Sequence, residues 1–579
     1  NAKNKLANEG NTKIALMFTG TNELSLEYNQ SQLFALLEEN KVSPQIISLL
    51  KDNPFEYIKL KAQENTTLTF NNKKALLSNV EISTHTDERS NLITLNNIAF
   101  ALPHSNNNHK NNKQARTKAQ SLKVQSFIID SQLFLTQLKE FTTEPITIHL
   151  EGSLKKTEKQ TNLNLAQNSS ITTNSIVMLK QQNNKSSKNI LNLETLTTKI
   201  EGSVQLIEEN PLTMNLKVHS QASQFSIPKA LQINSFDLFS TIKGNLDDIT
   251  INASTQADGI DLGSIVITGP ILSPKLLVAA NKLQLTDLLS LNIQLPTTIE
   301  LVNGEVDYSL SGHLADLNNI ESTPFDVSIA VTSASGEVDG IWLQELNWQQ
   351  HFTLLAGKVT TKPNAKENLT VDLIEAPTPV SKLSINTSWT FNKSFKLSAS
   401  KLKADILGGS FSIPKLQWPI EHGHSVNVQL NSIDLEQVLA LDKKQGIVVT
   451  GNISGELPVT YDGEKFIIED GKLHNISNGL IQVMDNPAVA ELKANNSQLQ
   501  LAFDALQNLH YHQLSSAVSM SDDGYMQLDT VIKGRNPDID NDVNLNLNLS
   551  YDLLGLLESM SITQRFEKSI IEGLQKNKE

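Results

Sequence analysis

The stretch Asp542-Val-Asn-Leu-Asn-Leu-Asn-Leu-Ser550 alternates apolar and amide side chains without interruption. Successive side chains of a β-strand point to opposite faces of the sheet. Val543, Leu545, Leu547 and Leu549 would therefore share one apolar face, while the three asparagines between them face water. An apolar face must be covered, and what covers it decides the fold.

The composition limits the possible answers. The chain has 579 residues, of which 39% are hydrophobic and 5% aromatic, and it contains no cysteine. It is too apolar for wholesale disorder, it is poor in the large side chains that fill deep interiors, and disulfides and thiolate metal sites are excluded. A net charge of −14, with both signs spread along the chain, argues against nucleic acid as a partner.

Targeting signals are not evident in the sequence. No apolar run is long enough to span a bilayer as a helix, and the chain opens at Asn1 without a Met or a signal peptide. We therefore expect a mature or truncated product whose targeting segment has been left out.

Period-two runs recur along most of the chain and predict further strands with one apolar face. Turn signals such as Asn303-Gly304, Asp339-Gly340 and Asp470-Gly471 separate many of them, which indicates antiparallel neighbours. We predict that the apolar positions of these runs line a lipid-binding groove: Leu212, Met214, Leu216, Val327, Ile329, Leu383, Ile385, Phe395, Leu397, Phe411, Ile413, Val426, Val428, Leu499, Leu501, Phe503, Val543, Leu545, Leu547 and Leu549.

A loose repeat of the form apolar-x-Gly-x-apolar runs through these strands, as in Leu150-Glu-Gly-Ser-Leu154, Ile200-Glu-Gly-Ser-Val204 and Leu310-Ser-Gly-His-Leu314. We place its glycine on the polar side of each strand, where it would mark a bulge or a sharp bend. Repeated bends would coil a long sheet about its own axis. Chance recurrence of glycine-containing strands is the alternative.

Helix signals are few. We predict a helical hairpin near 31–50, a short helix from Asp434 to Leu441, and another that opens at Asn486-Pro487 and runs to about Lys493. Apolar residues at helical spacing from Leu553 to about Leu574 predict an amphipathic terminal segment.

The same signals suggest three regions. Residues 1–120 would form an N-terminal β-region with the helical hairpin, 121–430 an extended β-groove, and 431–579 a C-terminal β-region that ends in the amphipathic segment. Two polar tracts rich in Asn and Lys, 104–120 and 181–189, predict loops.

The architecture must cover the apolar face of many strands with few helices and without recognisable linkers. This predicts a mainly β fold, an elongated and twisted antiparallel sheet curled into a hydrophobic groove, with a few short helices. Such a groove would shield acyl methylenes, whose exposure to water costs about 0.8 kcal/mol each. A multidomain β-sandwich scaffold or adhesin is the alternative, and an outer-membrane barrel is disfavoured by the scarcity of Trp and Tyr.

Patterns for catalysis or metal binding are incomplete. The run Asp538-Ile-Asp-Asn-Asp542 begins like a calcium loop, but Val543 stands where Gly is needed and Leu549 where Glu closes the loop. His422-Gly-His424 and His510-Tyr-His512 each put two imidazoles on one strand face without a carboxylate at a suitable spacing. We therefore predict no metal, no cofactor and no catalytic residue.

The C-terminal region carries more specific motifs. Residues 446–473 contain Gly-x-x-x-Gly-x-x-Pro at Gly451–Pro458, followed by a hairpin that ends in Asp470-Gly471. Residues 505–539 contain Ala-Leu-x-Asn-Leu-x-Tyr and Gly-Arg-Asn-Pro. In these motifs and their order the chain resembles the YdbH-type AsmA-like proteins of Gram-negative bacteria, and upstream the likeness rests on the β-rich texture.

The resemblance implies a non-enzymatic transporter of phospholipids that is anchored in the inner membrane by an N-terminal helix, missing here, and crosses the periplasm as a hydrophobic β-groove. It further implies that a small outer-membrane lipoprotein adds strands to an open C-terminal sheet edge. The matching edge residues are Val543, Asn544, Leu545, Asn546, Leu547, Asn548 and Leu549. A dicarboxylate transport label also attached to the family finds no support, because Arg and Lys do not cluster here.

Overall fold

The computed structural model describes most of the chain between residues 57 and 552 and a short strand before it. The described residues are 14–17, 57–70, 74–85, 90–101, 123–133, 141–142, 145–157, 159–182, 186–207, 211–294, 298–315, 322–362, 366–376, 378–392, 394–420, 423–441, 446–461, 465–484, 497–522 and 524–552.

Strands dominate these residues, and every pairing whose register is resolved is antiparallel, which confirms the predicted mainly β fold. The strands are β1 (Ile14–Met17), β2 (Tyr57–Phe70), β3 (Lys74–His85), β4 (Ser90–Ala101), β5 (Lys123–Leu133), β6 (Phe141–Thr142), β7 (Ile146–Lys156), β8 (Gln160–Leu165), β9 (Ser170–Gln182), β10 (Ser186–Ile207), β11 (Thr213–Ile227), β12 (Leu231–Asn245), β13 (Ile249–Ala257), β14 (Ile260–Gly269), β15 (Lys275–Gln284), β16 (Asn292–Ile293), β17 (Ile299–His313), β18 (Phe325–Val338), β19 (Ile341–Leu355), β20 (Lys358–Thr361), β21 (Leu369–Glu375), β22 (Val380–Asn392), β23 (Ser394–Ile406), β24 (Gly409–Trp418), β25 (Ser425–Asp434), β26 (Ile447–Val449), β27 (Asn452–Tyr461), β28 (Phe466–Asn475), β29 (Gly479–Val483), β30 (Leu509–Met520), β31 (Tyr525–Asn536) and β32 (Asn541–Asp552).

Three short helices accompany the strands in the described part of the chain: α1 (Leu285–Ser290), α2 (Leu435–Leu441) and α3 (Ser497–Leu506). Helix α2 was predicted, and Asp434 caps it by accepting a hydrogen bond of 3.0 Å from the amide of Glu436. The predicted helices at 31–50, 487–493 and 553–574 and the loop at 104–120 lie outside the described residues.

Helix α3 corrects one prediction, because Leu499, Leu501 and Phe503 lie on this helix and not on a groove-lining strand. The stretch fits two periods at once, since Leu499, Phe503 and Leu506 follow the helical i, i+4, i+7 spacing as well. Ser497 at the start favours the helix. Leu501 is 72% exposed, so it lines no covered surface in this conformation.

The predicted loop at 181–189 is also wrong for most of its length. Gln181 and Gln182 belong to β9, and β10 begins at Ser186, which pairs with Gln182. The backbone ladder between Gln182 and Ser186 supplies the pairing at this hairpin end.

The described strands fall into two compact units. Unit 1 comprises Asn1–Ala279, Leu289–Gln294 and His313–Asn318, and unit 2 comprises Ala280–Leu288, Leu295–Gly312 and Asn319–Glu579. The sequence-based boundaries at 120 and 430 are finer than this division and stay predictions.

The glycines of the repeat lie on the apolar face of the strands, not on the polar face as predicted. A residue two positions from both flanking apolar residues must share their face, and the register pairs Gly152 with Leu165. A Cβ at Gly152 would come within 2.1 Å of the Asn164 carbonyl oxygen and 2.9 Å of Phe127 Cζ. The absent side chain therefore makes room for the neighbouring strands.

Bends of the sheet also occur at residues other than glycine. Ser333, Lys382, Lys401, Ser432 and Asp470 all have φ between 49° and 59°, and each lies inside a different strand of unit 2. The turns predicted at Asp470-Gly471 and Asn303-Gly304 are therefore wrong, because these pairs lie within β28 and β17. A left-handed residue inside a strand is a bulge that bends it and increases the local twist. Residues on either side of each bulge keep their apolar side chains on the same face, as the low exposure of both Ala399 and Ala404 around Lys401 shows.

At two places, two consecutive strands lie end to end between the same two neighbouring strands. A polar side chain fills the gap between the two consecutive strands. In unit 2, β20 and β21 both lie between β19 and β22. The Asn368 side chain in this gap accepts a hydrogen bond of 2.6 Å from the amide of Thr387 and donates one of 2.7 Å to Gln350 Oε1. In unit 1, Ser169 Oγ accepts the amide of Glu151 between β8 and β9 in the same manner.

Candidate lipid-binding surface

Unit 1 presents a face on which apolar residues stand in register from strand to strand. Directly paired residues of neighbouring strands lie on the same face. The register joins Val80, Leu95, Ile129 and Leu150 across β3, β4, β5 and β7. A second row crosses the remaining strands through Gly152, Leu165, Gly202, Leu216, Ile242, Ile251, Ile267 and Leu276.

Unit 2 presents a face of the same kind, and we call it the apolar face of unit 2. One row crosses β17, β18, β19, β21 and β22 through Val306, Val331, Trp348, Leu369 and Ile385. A second row crosses the later strands through Ala404, Phe411, Leu430, Gly455, Leu473, Ser516, Thr530 and Leu547. The face is therefore mostly apolar from β17 to β32, and the two hydroxyls in the row, Ser516 and Thr530, are hydrogen-bonded to each other at 2.9 Å.

Most of the predicted lining residues fall on these two faces. Met214 and Leu216 lie in unit 1, whereas Leu212 precedes the first residue of β11. The members on the apolar face of unit 2 are Val327, Ile329, Leu383, Ile385, Phe395, Leu397, Phe411, Ile413, Val426, Val428, Val543, Leu545, Leu547 and Leu549. That they contact lipid stays a prediction.

The exposure of these side chains separates an accessible part of the face from a covered part. Phe395, Leu397, Phe411, Val426 and Val428 are all half-buried, so a substantial fraction of each side chain remains accessible. Leu549 at the far end is 47% exposed. Half-exposed apolar side chains in continuous rows are what a hydrocarbon ligand would cover.

Helix α3 covers the face near the beginning of β32. Ala505 and Leu506 of α3 form a buried cluster with Ile532 and Val543, and Phe503 packs against it together with Leu545 and Leu547. Here other parts of the protein already cover the apolar strand residues. Val543, Leu545 and Leu547 therefore belong to a packed core in this conformation.

Two buried polar groups hold α3 and its surroundings in place. The Asn536 side chain donates hydrogen bonds of 3.1 and 3.2 Å to the carbonyl oxygens of Asp504 and Ala505, the end of the helix. The Tyr511 hydroxyl donates a 2.7 Å hydrogen bond to the Thr450 carbonyl oxygen, and burial raises the pKa of Tyr511. Both contacts tie the end of α3 and β30 to neighbouring segments.

The predicted partner-binding edge lies on β32. Among the described strands β32 pairs with β31 alone, over the whole span from Asn541 to Asp552. Asn544, Asn546 and Asn548 are exposed, and Asn548 donates a 2.6 Å hydrogen bond to Asp529 Oδ1. An edge strand with one unpaired side is a template for a further strand.

The polar faces carry exposed ion pairs. Lys217 and Glu201 stand 3.1 Å apart, and Lys362 Nζ lies 2.6 Å from Asp326 Oδ1. The hydrogen bond from Lys362 lowers the pKa of Asp326. Because all four side chains remain accessible to water, these pairs add little to stability.

Within the described ranges, no group of three candidate metal ligands comes together. His510 and His512 are exposed on one face of β30, and His422 lies outside the described residues. The calcium-like run folds as a turn in which Arg535 forms ion pairs with Asp540 and Asp542. Within the same part of the chain, no helix is long and apolar enough to cross a bilayer.

The sequence reasoning missed a set of aromatic residues on the apolar face. Phe352, Trp389 and Trp418 lie near strand ends, and the rings of Phe352 and Trp389 are 5.6 Å apart, with Phe395 6.2 Å from Trp389. All three continue the period-two pattern of their strands, so the signal was present. Their proximity depends on the register, which one sequence does not reveal.

The chain is similar in sequence to known proteins. The family model described as "YdbH-like: Intermembrane phospholipid transport protein YdbH" matches residues 46–575. A protein of Escherichia coli (strain K12) named "Probable phospholipid transport protein YdbH" is 24% identical over 241 residues, 41% of this chain and 25% of that protein. The matched part is thus a quarter of the relative's length. No solved structure matches the chain.

Proposed function

Because the chain belongs to the YdbH-like family, we propose that it moves phospholipids between the inner and outer membranes without chemical conversion. The observation that carries the proposal is the pair of apolar faces, on which half-exposed Leu, Ile, Val and Phe side chains follow one another in register across neighbouring strands. Acyl chains on such a face would remain out of water at every step.

The proposal includes the route and the location. A continuous hydrophobic β-groove would span the periplasm, with attachment to the inner membrane through an N-terminal helix and with the C-terminal end towards the outer membrane. These elements follow from the resemblance to the family. The accessible part of the apolar face of unit 2 supports the groove, because an ordinary closed core would leave its central residues buried.

Copurified lipid tests the proposal. The full chain, purified from envelope fractions in mild detergent and transferred to detergent-free buffer, should carry phospholipid that native mass spectrometry resolves as discrete mass additions. Lipid extraction should recover at least one phospholipid per chain. A chain that emerges without lipid and binds none from vesicles would point instead to a β-sandwich scaffold or adhesin.

The edge of β32 is proposed to receive a small outer-membrane lipoprotein by strand addition. The chain contains no cysteine, so a single Asn546→Cys variant can carry a short photo-cross-linker. An adduct with a small lipoprotein is expected in envelope preparations. The matched control is Gln527→Cys on β31, an exposed position whose strand is paired on both sides. Equal adducts from both variants would contradict strand addition at β32.

A further inference from the structure

Aromatic residues of the apolar face of unit 2 gather at one side of its sheet. In an antiparallel sheet, the end of one strand and the start of the next lie at the same side. We call the side of this sheet that carries the aromatic residues the aromatic rim. Along this rim stand Phe325, Phe352, Trp389, Phe391, Phe395, Trp418, Tyr461 and Phe466. All are half-buried, so part of each ring remains accessible.

The other side of the same sheet is different, and we call it the aliphatic rim. There the strand ends place Ile299, Val338, Ile341, Ile374, Val380, Ile406, Ile433 and Ile453 on the apolar face. Both rims are apolar, and they differ in that one carries aromatic and the other aliphatic side chains.

The two rims also differ in charge. Described lysines at the aromatic rim are Lys358, Lys396 and Lys465, and Lys362 follows β20, while the acidic residues Asp326 and Asp522 pair with Lys362 and Lys465. At the aliphatic rim the described residues are mainly acidic: Glu300, Glu337, Asp339, Glu375, Asp405, Asp434, Glu436, Asp538, Asp540 and Asp542, against Lys382 and Arg535. Among the described residues, the aromatic rim thus has the larger share of basic side chains.

We infer that the aromatic rim is the side over which phospholipid headgroups lie, with their acyl chains directed across the face towards the aliphatic rim. Tyr and Trp rings favour the boundary between hydrocarbon and water, because they combine an apolar body with a polar group. Lysines attract the phosphodiester, and the acidic aliphatic rim repels it. The inference rests on the proposed function and adds the orientation of the cargo.

Packing alone does not account for the arrangement. Ring contacts such as the 5.2 Å pair of Tyr461 and Phe466 stabilise the strand ends. Such contacts would serve equally well at the aliphatic rim, and they do not predict that lysines accompany the rings. The coincidence of rings and positive charge on one side is what headgroup binding requires.

Quenching by labelled lipid tests the orientation in the full chain. Ser394→Cys at the aromatic rim and Ser410→Cys at the aliphatic rim each receive a small fluorophore. The positions are about 35 Å apart along the strands, from about 11 residues at about 3.3 Å each. The labelled chains are loaded from vesicles of phosphatidylglycerol and phosphatidylethanolamine that contain a phospholipid with a nitroxide on its headgroup. A second preparation has the nitroxide at the end of the acyl chain.

The headgroup nitroxide should quench the label at Ser394→Cys at least about threefold more than the label at Ser410→Cys, and the acyl nitroxide should reverse this preference. Equal quenching at both rims, or stronger headgroup quenching at the aliphatic rim, would overturn the orientation while leaving lipid transport intact. If gel filtration shows no lipid on either labelled chain, the proposed function and the orientation both fail.

Charge reversal gives an independent readout. Lys396 and Lys403 are both exposed on the polar side of β23, but only Lys396 lies at the aromatic rim. Lys396→Glu should weaken capture of phosphatidylglycerol from vesicles about threefold, the scale of one exposed charge pair, and Lys403→Glu should leave it unchanged. An equal loss in both variants, or none at Lys396, would contradict a basic headgroup rim.

Discussion

Leu397→Asp is the sharpest test of the apolar face. Leu397 pairs with Trp389 and Trp418 and is half-buried. An acyl chain that covers the other half of this side chain gains about 1 kcal/mol, half the value of full burial. An ionised carboxylate forfeits this gain and keeps about two adjacent methylenes wet, which costs about 1.6 kcal/mol more.

The sum of about 2.6 kcal/mol corresponds to a loss of roughly 80-fold in lipid affinity at this position. The measurement is phospholipid retained per chain after incubation with vesicles and gel filtration. The matched control is Ser398→Asp, one residue along the same strand on the polar side, which should retain lipid like the parent chain. Both variants should stay folded, because neither position is fully buried and such substitutions change stability by about 1 kcal/mol or less.

The pH dependence adds a second check. Apolar surroundings raise the pKa of an introduced Asp, so its neutral form gains weight as the pH falls. Lipid retention by Leu397→Asp should therefore recover between about pH 7 and pH 4. Normal retention by Leu397→Asp at pH 7, or an equal loss in Ser398→Asp, would refute the assignment of this face to lipid. Leu545→Asp is not equivalent, because Leu545 packs beneath α3 and its substitution should also unfold that end.

Three further outcomes follow from the packing and the charges. Leu509→Ala should lower the free energy of unfolding by about 2–5 kcal/mol in urea titrations, because Leu509 is 0% exposed; a change below about 1 kcal/mol would contradict the packed cluster. Asn368→Ala should cost about 1–3 kcal/mol by the same measurement, because the amide of Thr387 loses its acceptor; unchanged stability would mean that water replaces the side chain. Lys362→Met should raise the pKa of Asp326 in an NMR titration, because Lys362 lowers it. Any stability from that ion pair is present above the ordinary pKa of Asp and is lost as the pH falls through the lowered value. The free energy of unfolding of the variant should therefore fall less steeply with acid than that of the parent chain, and a steeper fall would contradict the prediction.

The strands could be predicted from the sequence because alternation is a local signal. Phe395–Ala399 and Val543–Leu549 form strands, as their alternation of apolar and polar residues predicts. The segment Leu499–Phe503 failed because it satisfies two periods at once, and only the packing of Leu506 decides between them. The glycine of Leu150–Leu154 was assigned to the wrong face, although its place two residues from each flanking leucine already fixes the face.

The sequence predicts which positions of each single strand belong to the candidate surface. Which apolar residues become neighbours depends on register, and the register depends on bulges at polar residues such as Lys401 and Asp470. No composition rule points to these positions. Helix α3 covers part of the apolar face, and Trp389 and Trp418 lie at the same rim. Both features depend on the register, so only the three-dimensional structure shows them.

The side chain of Asn368 has a consequence for motion along the wall of unit 2. Where a ladder is interrupted, bare amides would face any hydrocarbon beside them, and each would cost several kcal/mol. Asn368 accepts the amide of Thr387 at that interruption and donates to Gln350 Oε1, so these polar groups are already paired with one another. Under the proposed function, an acyl chain that passes this seam would meet no unpaired amide at Thr387, and the strand order can change there without exposing a polar group that needs a partner.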